Sequence, residues 1–191
     1  MTSHRIVHAA ATGLATLCLT LPALSASAAP LKVDTGKSTV TIVFKQLNVP
    51  VEASFKKFNA QIDFDSAKPE AAKATVEMDI ASFDLGDAQY NQEVMKKDWF
   101  NTAQFPKATF TAATIKSAGP GKFTVTGKLS IKGKTSDVGF PLTVKKDGAA
   151  QVFDGTLPIK RLTYNIGEGE WKDTDTVADE VLIKFHVVTT P

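Results

Sequence analysis

From residue 38 onward, apolar and polar side chains alternate almost one for one, and this commits the chain to β-structure. A helix would return apolar residues every three to four positions, whereas a strand with one buried face returns them every two. Ser38–Gln46 sets Val40, Ile42 and Phe44 against Thr39, Thr41 and Lys45. Val49–Phe55 repeats the pattern, and Phe58–Phe64 continues it after a phase slip that predicts a bend or bulge around Lys56-Lys57. Lys73–Ala81, Ala108–Lys116, Phe123–Ile131, Ser136–Lys145, Ala150–Lys160 and Ala178–Thr189 read as further strands. Gly119-Pro120-Gly121, Lys132-Gly133-Lys134 and Asp147-Gly148 mark turns between them.

This predicts an all-β fold of about eight antiparallel strands, as a barrel or a sandwich. An eight-stranded barrel either fills with its own side chains or encloses one small ligand. Asp84–Gln104 interrupts the meander and reads as helical from about Ala88 to Lys97. The 191 residues contain no linker, low-complexity segment or meaningful repeat, so one domain is expected after the N-terminal segment.

Residues 1–28 have no acidic residue, a single charge at Arg5, an apolar run from Ala9 to Leu24, and an Ala26-Ser27-Ala28 close. This is the pattern of a secretory signal peptide, with cleavage expected after Ala28 and a domain over 29–191. The apolar run is short for a spanning anchor. Removing it takes away Cys18, His4, His8 and Arg5, leaving His186 as the one histidine and Arg161 as the one arginine. A chain without disulfides behind such a leader is expected in a bacterial periplasm.

These residues exclude much chemistry. One remaining His cannot anchor a zinc site, and no metal site or catalytic residue is expected. His186 lies opposite Phe185 and Val187 on its strand, so it reads as a surface residue rather than a nucleophile's partner. Gly133-Lys134-Thr135 resembles the tail of a phosphate loop, but Lys128 stands where that motif needs Gly and no helix follows. Glu168, Glu170, Asp173 and Asp175 read as a solvated acidic loop. A net charge of +2 and scattered lysine pairs give no nucleic-acid footprint.

What remains is apolar material. The chain has 12 Phe but only 2 Tyr and 2 Trp. Phe lines a pocket without a hydroxyl that needs a partner, so these rings suit either a solid core or a hydrocarbon cavity.

Three segments together resemble the YceI-like family of secreted bacterial proteins. The first is Trp99-Phe100-Asn101-Thr102-Ala103-Gln104-Phe105-Pro106, running on to Phe110. The second is Phe123–Ile131 with Lys132-Gly133-Lys134-Thr135, and the third is Ile159-Lys160-Arg161-Leu162-Thr163-Tyr164-Asn165-Ile166-Gly167. Asp34 and Ser38 before the first long strand also fit. Asn101 departs from the family's usual Asp, and Phe105 from a common Tyr. The resemblance implies a lipocalin-like barrel with a helical insertion near 88–97. It also implies a non-catalytic carrier, without cofactor, that binds an isoprenoid or similar amphiphilic lipid such as a quinone or polyprenyl chain. The expected tunnel and mouth residues are Phe44, Phe55, Phe58, Phe64, Trp99, Phe100, Phe105, Phe110, Phe140 and Trp171. Arg161 is a candidate headgroup contact or a structural ion pair. An enzyme would need acid–base groups facing inward, and a ligand-free interaction domain would need a filled interior.

Overall fold

The computed structural model describes residues 31–190. The signal-peptide expectation for 1–28 lies outside them. They form one antiparallel sheet of eleven strands, curled on itself. In chain order these are β1 (Lys32–Val33), β2 (Thr39–Gln46), β3 (Val49–Phe55), β4 (Phe58–Asp63), β5 (Lys73–Asp79) and β6 (Phe83–Asp84). Helix α1 (Ala88–Val94) follows, then β7 (Lys107–Gly119), β8 (Lys122–Ile131), β9 (Lys134–Asp147), β10 (Ala150–Lys160) and β11 (Val177–Thr190). The path across the sheet is β4-β5-β7-β8-β9-β10-β11-β2-β3-β6.

The class matches the expectation, while the strand count is corrected from eight to eleven. Two extra strands are two-residue segments, too short to show a period. The other nine include both β3 and β4, which separate at the phase slip. At Lys56 the chain leaves the β2 ladder, and the Lys56 and Lys57 N–H groups donate to the Ser82 carbonyl and hydroxyl at 3.1 and 2.9 Å. Beyond this break β4 pairs with β5 instead.

The curl is drawn together by the first described residues. β1 pairs with the end of β11, and the adjacent Leu31 donates its N–H to Ile62 of β4 at 2.7 Å. The Asp34/Ser38 turn then locks onto β11. Ser38 Oγ donates to the Asp34 carbonyl at 2.6 Å and accepts from Val188 N–H at 2.9 Å.

Inward positions follow the alternation read from sequence. Val40, Ile42, Val125, Leu129, Phe140, Leu142, Phe153, Leu157, Val181 and Val187 are buried. Room for rings comes from small residues: a side chain at Gly155 of β10 would run into the Phe185 ring of β11. His186 faces outward as expected, with Nδ1 2.7 Å from Asp154 Oδ1 across the strands. Helix α1 ends three residues earlier than the pattern suggested. Phe100 N–H returns to the Val94 carbonyl, and Asn101 then takes a left-handed backbone, φ 51°.

Candidate functional site

The curled sheet is not filled by its own side chains. It encloses a cavity of about 490 Å³ whose walls are overwhelmingly carbon, within the usual size of small-molecule sites. Its charged lining residues are Lys73, Asp87, Glu93 and Arg161. Lys73 opens β5 near the Leu31/β1 closure, whereas the other three lie toward α1 and the loop after β10.

Nine of the ten expected tunnel residues line this cavity: Phe44, Phe55, Phe58, Phe64, Trp99, Phe100, Phe110, Phe140 and Trp171. Their rings form contact chains. Phe64 meets Phe123 and Phe153 edge-on at 5.2 and 5.4 Å, and Phe140 links Phe110 and Phe185 at 5.6 and 5.5 Å. Toward α1, Phe83 bridges Phe55 and Phe100 at 5.1 and 5.2 Å. Phe105 is the exception. Its ring lies against Gly133 in the β8–β9 turn, and it does not reach the cavity.

The exposed lining residues are Lys73, at the start of β5, and Gly86, Asp87 and Tyr90, where the cavity reaches the surface beside α1. Gln46 and Val51, flanking the β2–β3 hairpin, line it too. This mouth is therefore bounded by the hairpin and by α1. Asp87 caps α1, accepting from the N–H groups of Gln89 and Tyr90 at 2.8 and 3.1 Å. The sequence carried a missed signal here, since Tyr90 and Val94 are one helical turn apart and both line the cavity.

Arg161 borders the cavity, but its guanidinium has another task. Nε donates to the Ala178 carbonyl at 3.1 Å, Nη1 to Ile166 and Gly167 at 2.8 and 3.1 Å, and Nη2 to Trp171 and Val177 at 2.8 and 2.7 Å. All five N–H donors are engaged, and none is left for a ligand headgroup. Nor does it form the ion pair considered from sequence, since every partner is a backbone carbonyl. Burial lowers its pKa, while Asp179 and Asp173 raise it through charge. Gly167 leaves space for this clamp, since a side chain there would collide with Nη1. The acidic loop is structural as well. Glu168 accepts from the buried Lys132 Nζ at 2.9 Å, and Asp173 accepts from the Asp175 N–H and the Thr176 hydroxyl. One buried side-chain polar atom is left over among the described residues: the Trp99 Nε1–H has no partner.

A family model described as YceI-like domain matches residues 31–189. A UPF0312 protein of Shewanella baltica is 32% identical over 118 residues, which span 60% of this chain and 62% of that protein. The match thus covers about three fifths of that relative's length. BcnA of Burkholderia cenocepacia, a crystal structure, is 56% identical with a TM-score of 0.82, covering 83% of this chain and all of that one. A Saccharophagus degradans domain, described as polyisoprenoid binding and implicated in plant cell wall breakdown, shares the fold. It is 18% identical with a TM-score of 0.66, over 84% of this chain and 97% of its own.

Proposed function

The chain belongs to the YceI-like family, and from that premise we propose that it is a non-catalytic binding or carrier protein for an isoprenoid or similar long amphiphilic lipid. A quinone or polyprenyl chain is the ligand class, held in the barrel. We further propose that it works in the periplasm, after removal of residues 1–28.

The observation that carries this reading is the cavity itself: about 490 Å³ of space walled by Phe and aliphatic side chains. A ligand-free interaction domain would have filled that interior with its own side chains. A hydrocarbon chain there gains about 0.8 kcal/mol for each CH2 removed from water. The charged lining groups are few, and Arg161 is already bonded to backbone. The polyisoprenoid-binding description of the Saccharophagus domain supports the same ligand class. A ligand oxygen reaching Trp99 Nε1 would also satisfy its unpaired donor.

The test is native mass spectrometry of protein exported and purified without detergent, followed by solvent extraction and lipid analysis. A stoichiometric adduct that extracts as a prenyl chain or quinone is the expected result. A clean unliganded mass, unchanged after incubation with quinones, polyprenols and fatty acids, overturns the reading.

A further inference from the structure

Three large hydrophobic side chains are strongly exposed among the described residues: Leu47 at 67%, Val49 at 62% and Tyr90 at 60%. All three belong to the elements that bound the cavity mouth. Tyr90 lines the cavity from α1. Val49 pairs with Gln46 across the hairpin and shares a strand face with Val51, and both of those residues line the cavity. Leu47 is the tip between them.

Leu47 is costly twice over. It and Asn48 form a two-residue turn with φ of 49° and 64°, the geometry that favours Asn and Gly and that a bulky L-residue adopts at a steric penalty. The other non-glycine residues with positive φ are Asn48, Asn101, Lys132 and Asn165, so Leu47 is the one apolar case among the described residues. The Leu47 backbone is held by its N–H bond to the Thr176 carbonyl at 2.9 Å, but the hydrophobic side chain carried on this strained backbone is left in water. Strain of this kind points to function.

Resting on the lipid-cavity reading above, we propose that Leu47, Val49 and Tyr90 form a rim that docks reversibly on a bilayer surface, placing the cavity mouth against the membrane. The rim is continuous with the walls that would hold the lipid, so a hydrocarbon chain crosses from bilayer to barrel without passing through bulk water. Tyr suits the boundary, with an apolar ring and a polar tip. The nearby charges are mixed: Lys45 beside the hairpin tip, Asp175 next to the Thr176 whose carbonyl accepts from Leu47 N–H, Asp87 at the start of α1, and Glu93 paired with Lys96. Docking is therefore driven by apolar contact and is indifferent to anionic lipid.

The test is flotation of the purified chain with phosphatidylcholine vesicles, beside binding of a dansyl-labelled prenyl alcohol in vesicle-free buffer. The wild-type chain is expected to float with vesicles, and exchanging part of the phosphatidylcholine for phosphatidylglycerol should change little. The double variant Leu47→Asn, Val49→Thr, which leaves every cavity-lining residue in place, should lose vesicle association roughly tenfold while keeping probe binding. Leu47→Asn alone should raise the thermal midpoint and lower vesicle association, two shifts of opposite sign that a merely structural residue does not give. Intact probe binding without flotation of the wild-type chain overturns the docking proposal. So does equal flotation of the double variant, or a rim-dependent dimer that ignores vesicles. Loss of probe binding by the wild-type chain instead overturns the cavity reading, which flotation does not measure.

Discussion

The rings of Trp99 and Trp171 meet with centroids 5.4 Å apart, one from the helical insertion and the other from the loop that follows β10. Their segments are also stitched by backbone, because the Gly167 and Glu168 N–H groups both donate to the Asp98 carbonyl, at 2.9 and 2.8 Å. Two pieces far apart in sequence thus meet in the cavity wall. Arg161 holds the second piece in shape from below through the Trp171 carbonyl.

Replacing Arg161 with Lys should therefore be far from conservative. The ammonium keeps the charge but not the planar fork, and at 2% exposure it cannot recover water for the carbonyls it abandons. The expected loss is about 3 kcal/mol or more in urea unfolding, in the range seen when a buried charged group loses partners. Tryptophan emission should shift toward that of water-exposed indole at denaturant concentrations that leave the barrel intact, because Trp171 is released first.

The role of Arg161 shows what the sequence could and could not reveal. Which face of each strand is buried was legible, because a period of two states it directly, from Val40/Ile42/Phe44 to Ile183/Phe185/Val187. The bend at Lys56-Lys57 was legible as a phase slip. The partners of Arg161 were not, since five backbone carbonyls leave no residue-type signature. Phe105 and Phe83 show the same limit. Neither sits in an alternating run, since Phe105 lies in irregular chain and Phe83 opens the two-residue β6, yet one packs on a turn outside the barrel and the other bridges Phe55 and Phe100 inside. Only the path of the insertion decides between them. The two-residue β1 and the bond from Leu31 to Ile62 lie below the length at which alternation can be seen.

Gly155→Ala should test how tightly the interior rings are fitted. The added methyl would occupy space held by the Phe185 ring, and overpacking of this kind costs about 1–3 kcal/mol. Combining it with Phe185→Leu should restore part of the loss, so the double-mutant cycle should show a coupling of about 0.5 kcal/mol or more. Additive effects in thermal unfolding would show that the ring moves aside freely.

Ile183→Phe separates stability from ligand capacity. Ile183 lines the cavity from β11, so a larger ring there grows into empty space and not into packed neighbours. Unfolding free energy should change by less than about 1 kcal/mol. Affinity for the dansyl-labelled prenyl alcohol should fall by about tenfold or more, or about 1.4 kcal/mol, because the ring takes volume the chain needs. Undiminished binding would place the chain elsewhere on the protein.

Asp84 ties the mouth to pH. Its Oδ1 accepts from Asn91 Nδ2 and Gly86 N–H, both at 2.9 Å, and Asn91 Oδ1 in turn accepts from Leu85 N–H at 2.7 Å. The hydrogen bond from Asn91 comes first in holding this carboxyl below the ordinary value of 3.8, followed by that from Gly86 and by the neighbouring Lys56. A carboxylate whose pKa is lower folded than unfolded stabilises the native state fully above the unfolded value, and loses that contribution as pH falls through the folded one. The attachment of α1 should therefore be constant from neutrality down to about pH 4 and loosen only below it. Amide exchange in 85–94 should rise in that acid window ahead of exchange in β8–β11. Asp84→Ala should give the faster exchange already at pH 7 and flatten the acid response; an unchanged profile would show that α1 is held by Val94 and its apolar contacts alone.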